Sequence, residues 1–404
     1  MYAQVGLYYS MQVFVCKKKE FEMKKIFLML LFACALFAAG CRTKLCTGDL
    51  FSGTEEKRLK TGFFVDDGSR GGGVFKAARL LFHSPQLDVT LLDGKDIRDG
   101  KLDGLDLLVI PGGSSAVQFK MMQSTGAAKV REFVKRGGSY VGLCAGFHCT
   151  LNRPDRIALL PYVYLNKTSG AQGTLSVDIS EKGANILDVK PGRYQVYYSQ
   201  GPISKPGKSW EHGSAEVLGV YKNSIGLPGR KHYDYAGHPA ILFGNHGKGK
   251  VAATSFHPEV NVANHCIFNG MIYAVTGKKI VQDFPEKNPR PVRVVLYVGD
   301  TRGKERIKRL IELDRNPDIS VNPAAAASVP DLVSDHADVL ITMAEDSKGF
   351  REFVRKNQRL FRRFMDRGGK IIAAGSGAKA FEKHPNLIAF PQDKSFVDAV
   401  LKLK

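Results

Sequence analysis

The chain carries seven cysteines among 404 residues but no Cys-x-x-Cys pair, so a structural zinc site has no support in the sequence. Its one glycine-rich basic run, Gly68-Ser69-Arg70-Gly71-Gly72-Gly73, matches neither a phosphate-binding P-loop nor a Gly-x-Gly-x-x-Gly fingerprint. That run reads as a turn after the first strand, and no cofactor or metal is expected. Negative charge is also scarce, with 39 Asp and Glu against 59 Lys and Arg, a net charge of +20. No basic–aromatic spacing in residues 170–250 resembles an RNA-binding motif, so no nucleic-acid partner is expected. Anionic lipid headgroups, an anionic envelope polymer or a small anionic substrate fit the charge better.

The chain has no apolar run near its start long enough to span a bilayer comfortably: Ile26 to Ala38 is short and follows the basic Met23-Lys24-Lys25. It ends in Leu36-Phe37-Ala38-Ala39-Gly40-Cys41, which resembles a bacterial lipobox with Cys41 as the acylated residue. Residues 1–41 are therefore expected to be a leader and lipoprotein signal peptide with its start at Met23, and residues 42–60 a polar tether. The expected location is the cell envelope, with the body held at the outer face of a membrane by lipid on Cys41.

Among the other cysteines, Cys144 stands out. It ends the apolar strand Ser139-Tyr140-Val141-Gly142-Leu143 and is followed by Ala145-Gly146. A thiol at a tight strand-to-helix turn between small residues is the thiol form of a nucleophile elbow. Residues Ser255-Phe256-His257-Pro258-Glu259 come 113 residues downstream of it, after a second apolar strand, Lys250–Thr254. Cysteine, histidine and glutamate in that order supply a nucleophile, a base and an orienter. If the downstream segment is extended, residues two apart share a side and Glu259 reaches the His257 ring. Ile110-Pro111-Gly112-Gly113 ends another strand, and the amides of Gly112, Gly113 and Ala145 are candidates for an oxyanion hole. Cys149, five residues beyond Cys144 on the same predicted helix, is badly placed for a disulfide with it.

These segments resemble the class I glutamine amidotransferase-like superfamily, and within it the group named for the N-terminal domain of biotin–protein ligase. The stretch Tyr197-Tyr198-Ser199-Gln200-Gly201-Pro202 is similar to a Tyr-Tyr-x-x-Gly-Pro stretch of that group. The resemblance covers roughly residues 60–277. It implies a doubly wound, mostly parallel, flavodoxin-like α/β sheet; His148, Tyr197, Tyr198 and Gln200 are candidate substrate-binding residues, with a helix-surface histidine and a strand face as the alternatives for His148 and the tyrosines. Glutamine-hydrolysing members carry glutamine where this chain has His148, which argues against free glutamine as substrate. No ligase catalytic module is recognisable, so biotin transfer is not implied. Two functions follow: a cysteine-dependent amide or ester hydrolase or acyltransferase, or a catalytically silent binding or scaffold protein using the same pocket.

Organisation supports the fold class directly. Short apolar strands, Phe63–Asp66, Leu87–Leu92, Asp106–Ile110 and Ser139–Leu143, alternate with helical stretches, as in a parallel doubly wound sheet. Residues 171–245 alternate with period two and predict added antiparallel strands; Asn261 to Thr276 predicts a closing helix. The expected amidotransferase-like domain spans 61–280 and a linker with two prolines spans 281–290. Residues 291–404 read as a second, smaller α/β domain. Phe361-Arg362-Arg363-Phe364-Met365-Asp366-Arg367-Gly368-Gly369 parallels Val130-Arg131-Glu132-Phe133-Val134-Lys135-Arg136-Gly137-Gly138, and the gapless alignment sets Gly375 where Cys144 stands. The second domain thus lacks a nucleophile.

Overall fold

The computed structural model describes residues 57–69, 71–166, 171–207, 214–225, 234–297, 303–324, 329–335, 337–343, 347–391 and 395–403. The predicted leader, Cys41 and most of the predicted tether lie outside them. Residues Lys57–Lys404 form one compact unit. No described helix is long and apolar enough to cross a membrane.

The first half alternates as its periodicity predicts: β1 (Leu59–Phe64), α1 (Gly72–Phe82), β2 (Leu87–Leu92), α2 (Gly94–Arg98), β3 (Leu107–Ile110), α3 (Ser115–Lys135), β4 (Ser139–Leu143) and α4 (Ala145–Thr150). Next come β5 (Tyr162–Asn166), β6 (Gln172–Ile179), α5 (Glu181–Leu187), β7 (Gly192–Ser199), β8 (Ile203–Pro206), β9 (Ala215–Tyr221), β10 (Pro239–His246), β11 (Gly249–Thr254) and α6 (His265–Thr276). Nine of these strands form one sheet in the order β2-β1-β3-β4-β11-β10-β9-β6-β7. The first five are mutually parallel, and the other four join antiparallel, as the period-two segments predicted. Strands β5 and β8 pair separately.

The parallel strands are buried on both faces, which explains their near-continuous apolar sequence. On one face α1 and α6 pack Phe75, Ala78, Phe268 and Met271 against Phe63, Val109 and Val141. On the other, α3 brings Met122, Val130 and Val134 against Leu108, Ile110 and Tyr140.

Several boundaries differ from the sequence reading. β1 starts at Leu59, so its first two residues come from the predicted tether. It also stops at Phe64, because Asp66 turns the chain by accepting from the amides of Asp67 and Gly94. The closing helix begins at His265 after a short 3-10 turn, since the Asn261 side chain caps Ala263 at 3.1 Å.

The second half builds a five-stranded parallel sheet from β12 (Val292–Tyr297), β13 (Ile319–Ala324), β14 (Val339–Thr342), β15 (Lys370–Ala374) and β16 (Leu387–Phe390), in the order β13-β12-β14-β15-β16. Its helices are α7 (Lys304–Arg315), α8 (Val329–Asp335), α9 (Lys348–Lys356), α10 (Gln358–Asp366) and α11 (Phe396–Leu401).

This sheet repeats the first in detail. A methyl group on Gly138 would strike the Phe133 ring at 2.4 Å, and one on Gly369 would strike the Phe364 ring at 2.3 Å. Asp106 accepts from the Lys60 amide at 2.9 Å, and Asp338 accepts from the Arg293 amide at 2.8 Å. Gly375 has φ 66°, beside 50° at Cys144, so the second domain keeps a positive-φ turn without the thiol.

The two sheets meet through α1 and α7. The Asp314 carboxylate, 2% exposed, accepts from Arg79 at 2.7 Å and bonds the buried His83 ring at 2.9 Å. Arg315 donates to the Phe82 carbonyl, and Phe284 of the 281–290 segment packs on His83. A buried carboxylate with two partners fixes this contact better than an exposed pair would.

Candidate active site

Parallel pairing of β4 with β11 places the turns that follow them side by side at the carboxyl edge of the sheet. Cys144 occupies the first turn at φ 50°, ψ −97°, a strained conformation for a residue with a side chain. Hydrogen bonds hold it there: its amide donates to Thr254 at 2.8 Å, and its carbonyl accepts from His148 at 3.0 Å. The small residues on either side are obligatory. A methyl on Gly142 would lie 2.6 Å from the Gly146 carbonyl, and one on Gly146 would lie 2.1 Å from the Ile110 carbonyl.

His257 and Glu259 occupy the second turn. Its geometry differs from the extended segment expected: Pro258, Glu259 and Val260 form a tight turn, with the Val260 amide donating to His257. That turn still brings Glu259 Oε1 to 2.7 Å from His257 Nδ1. The His257 amide is tied to the Tyr197 carbonyl at 2.9 Å. The His257 ring also interacts electrostatically with Cys144. With Nδ1 committed to Glu259, Nε2 is the nitrogen left for the sulfur. Cys144, His257 and Glu259 are 5%, 8% and 1% exposed, so the three interact in a shielded medium. Burial alone would lower the proton affinity of His257; the Glu259 carboxylate and Cys144 outweigh it and hold the imidazole well above its ordinary range.

Gly112 completes the wall. A methyl there would stand 2.7 Å from His257 Cε1 and 3.5 Å from Cys144 Cβ, so its backbone lies against both. Gly113 follows with φ 138°, a conformation that glycine tolerates. Ala145 opens α4, so its amide is one of the first-turn donors without an intrahelical acceptor.

The four expected substrate-lining residues separate. Tyr197 is 37% exposed, with its ring 6.0 Å from that of His257. Gln200 is exposed at φ 55°, with its amide donating to Ala171. His148 Nδ1 is 2.9 Å from Ser115 Oγ, and its ring stacks on Tyr164 at 4.7 Å. Burial, with Arg156 and Arg153 nearby, lowers the His148 pKa to about 3 and keeps the ring neutral. Tyr198 does not line the site. It is fully buried among Tyr221 and Tyr235, and its hydroxyl donates to Gly201. In strand β7 consecutive side chains take opposite faces, so only one of the two tyrosines can reach the solvent side.

Two contacts have little sequence signal. The Cys144 thiol reaches the Ser199 carbonyl at 3.6 Å, a backbone contact to which any residue type would be equal. Gly73 packs against the pair: a methyl there would lie 2.7 Å from Glu259 Oε1 and 3.2 Å from His257 Nδ1. The glycine run at 68–73 is its one sign in the sequence, and the need is close approach to the His257–Glu259 pair.

Comparison with known proteins gives a family match over residues 84–153 to the model described as "Biotin-protein ligase, N terminal". That range holds Cys144, Gly112, Gly113 and Ala145 but not His257. The biotin–protein ligase of Schizosaccharomyces pombe is 27% identical over 170 residues, which are 38% of this chain and 25% of the ligase. This chain therefore spans a quarter of that relative's length. The pyridoxal 5'-phosphate synthase subunit PdxT of Bifidobacterium longum is 24% identical over 159 residues, 39% of this chain and 75% of the subunit. Among solved structures, PurLQS from Thermotoga maritima is similar at 16% identity and TM-score 0.38, covering 53% of this chain and 98% of that one. The family match and the two curated relatives together support a likeness to the class I glutamine amidotransferase-like superfamily, with the N-terminal domain of biotin–protein ligases among the similar proteins.

Proposed function

We propose that this chain is a cysteine-dependent hydrolase or acyltransferase acting on an amide or ester, working at Cys144, His257 and Glu259. The observation that carries the reading is the 2.7 Å bond from His257 to Glu259 beneath a positive-φ Cys144, all three in one buried cluster. His257 takes the thiol proton, and Glu259 stabilises the imidazolium. The sulfur then attacks the substrate carbonyl carbon; the C–S bond forms and the carbonyl π pair moves onto oxygen. Amides of the 112–113 loop and Ala145 face that oxyanion. As the C–N or C–O bond breaks, His257 returns the proton to the leaving group. Water, or an acceptor nucleophile, then loses a proton to His257, attacks the thioester and expels the Cys144 thiolate.

A panel of carboxamides and esters, incubated with the full chain and with Cys144→Ala, tests the reading. Product release is expected only when Cys144 is present. No turnover on any member, with Cys144 labelling no faster than the exposed Cys266, would point to the silent binding protein instead.

The same reading places the protein in the envelope, anchored through lipid on Cys41, and it rests on the lipobox-like sequence. The charge distribution agrees. Lys348, Arg351, Arg355, Lys356, Arg359, Arg362, Arg363 and Arg367 on and just after α9 and α10 are all exposed, with only Glu352 and Asp366 as acidic residues among them. Such a face fits anionic headgroups or an anionic envelope polymer. When the gene is expressed in a bacterium, the chain is expected to enter the detergent phase and Cys41→Ala to stay in the aqueous phase. Equal partition of both would remove the anchor.

A further inference from the structure

The site described so far contains a reactive-type thiol, and 3.8 Å from a neighbouring glutamine lies a second, inert one. Gln118 sits in α3, fully buried, and the mechanism above gives it no role. Its Nε2 donates to the Pro111 carbonyl at 3.0 Å. Its Oε1 accepts from the Cys149 thiol, itself fully buried. Burial raises the Cys149 pKa to about 12, so this sulfur keeps its hydrogen and remains a donor. A side-chain amide can be turned over by half a rotation; with a donor fixed on its oxygen, only one orientation satisfies both ends. Cys149 therefore sets which end of Gln118 faces Pro111.

Pro111 and Gly112 share a peptide. Its plane is rigid and trans, so the Pro111 carbonyl and the Gly112 amide point in opposite directions. Pinning the carbonyl on Gln118 aims the Gly112 N–H away from α3. Gly112 is the residue whose Cα lies against Cys144 and His257. The backbone of Gln118 is also fixed: a methyl on Gly68 would strike its nitrogen at 2.3 Å, and its amide donates to Ser114 at 2.9 Å.

We infer that Gln118, oriented by Cys149, is the positioning residue of the oxyanion hole, and that Gly112 supplies its donor from the 112–113 loop. Gln118 touches no reacting atom. It fixes one peptide plane, and through it the direction of one hydrogen bond that strengthens only when charge develops on the substrate oxygen. The inference rests on the acyl-transfer reading above and goes further by dividing the work within the site.

Two reagents for the same sulfur separate these claims. Iodoacetamide alkylates by displacement at a saturated carbon; the S–C bond forms as iodide leaves, and no oxyanion arises. p-Nitrophenyl acetate acylates by addition: the S–C bond forms, the carbonyl pair moves to oxygen, then returns as p-nitrophenolate leaves. An oxyanion hole speeds the second and is irrelevant to the first. In the full chain, Gln118→Met keeps side-chain length and removes the donor. It is expected to slow acylation of Cys144 by roughly tenfold to a hundredfold, below the loss seen when a hole donor is itself deleted. Alkylation of Cys144 is expected to change by less than about twofold.

Cys149→Ala is the second variant, because it leaves Gln118 in place. It is expected to slow acylation in part, and Cys149→Ser, which restores a donor, to recover it. Equal acylation by wild type, Gln118→Met and Cys149→Ala would overturn the inference while leaving the nucleophile intact. Loss of both reactions in Gln118→Met alone would mean a folding defect in that variant, and the Cys149 pair would then decide. Should wild-type Cys144 resist both reagents, the acyl-transfer reading falls and this inference with it.

Discussion

Replacing His257 with alanine is expected to slow iodoacetamide labelling of Cys144 at pH 6 by about tenfold to a hundredfold. The size follows from losing the imidazole that stands beside the sulfur and can take its proton. An ordinary cysteine, with a pKa near 8.5, is under about 1% thiolate at that pH. In this site the imidazole next to the sulfur binds its proton far more tightly than a free histidine, because Glu259 and Cys144 outweigh its burial. That makes the ring the group beside the sulfur able to take its proton, and without it Cys144 is expected to label as an ordinary thiol does. The expected effect stays below what full ionisation would give, since a stabilised thiolate is a weaker nucleophile.

Labelling is read by peptide mass spectrometry, with exposed Cys266 in the same molecule as the control for reagent and time. Equal rates at Cys144 in wild type and variant would mean that His257 does not charge the sulfur. The pH dependence of stability has a defined sign as well. The raised proton affinity of folded His257 favours the fold fully below the ordinary histidine value near 6.5, and that contribution is lost as pH rises through the raised value.

Gly146→Ala carries the second large effect, and it acts through shape. The added methyl would lie 2.1 Å from the Ile110 carbonyl and 3.0 Å from its carbon, so the backbone of β3 or of the elbow must move. Neither can move freely. Ile110 pairs with Gly142 within the sheet, and the Gly146 carbonyl accepts from Tyr140 at 2.8 Å. A loss of roughly 2–4 kcal/mol is expected, as for overpacking in a closed core. Because the strain falls on the residue pair that sets Cys144 at φ 50°, reactivity should fall with stability. Gly72→Ala is the contrast: nothing lies within 4 Å of its methyl position, and a change within about 0.5 kcal/mol is expected. Thermal melts of both variants check this. Similar melting points would mean that the elbow has room the close approach denies.

Much of this site can be read from the sequence because its determinants are local. Gly142, Cys144 and Gly146 announce a turn by residue size, and His257-Pro258-Glu259 keeps its partners two residues apart. The parallel sheet is legible for a related reason: strands buried on both faces must be apolar throughout, as Leu107–Ile110 is. The second domain was visible through Arg367-Gly368-Gly369, since both of its glycines answer steric demands that recur at Gly137 and Gly138.

What the sequence conceals depends on pairs far apart in the chain. Gln118 and Cys149 are ordinary residues until α3 and α4 pack together, and Gly73 meets Glu259 only once β1 and β11 lie in one sheet. Tyr197 and Tyr198 look alike in sequence, and only the face presented by β7 assigns one to solvent beside His257 and the other to the core. The start of β1 is obscured by its polar second and third residues, Lys60 and Thr61, which pair with Asp88 and Val89 of β2.

The central claim is that Cys144 is the nucleophile of an acyl-transfer site, and its most direct test is the mass of each cysteine peptide after brief exposure of the full chain to p-nitrophenyl acetate at neutral pH. The account predicts one acetyl group on the Cys144 peptide, formed together with one equivalent of p-nitrophenolate and absent from His257→Ala on the same timescale. Acetyl groups distributed by exposure, with Cys266 modified first and Cys144 unmodified, would contradict it.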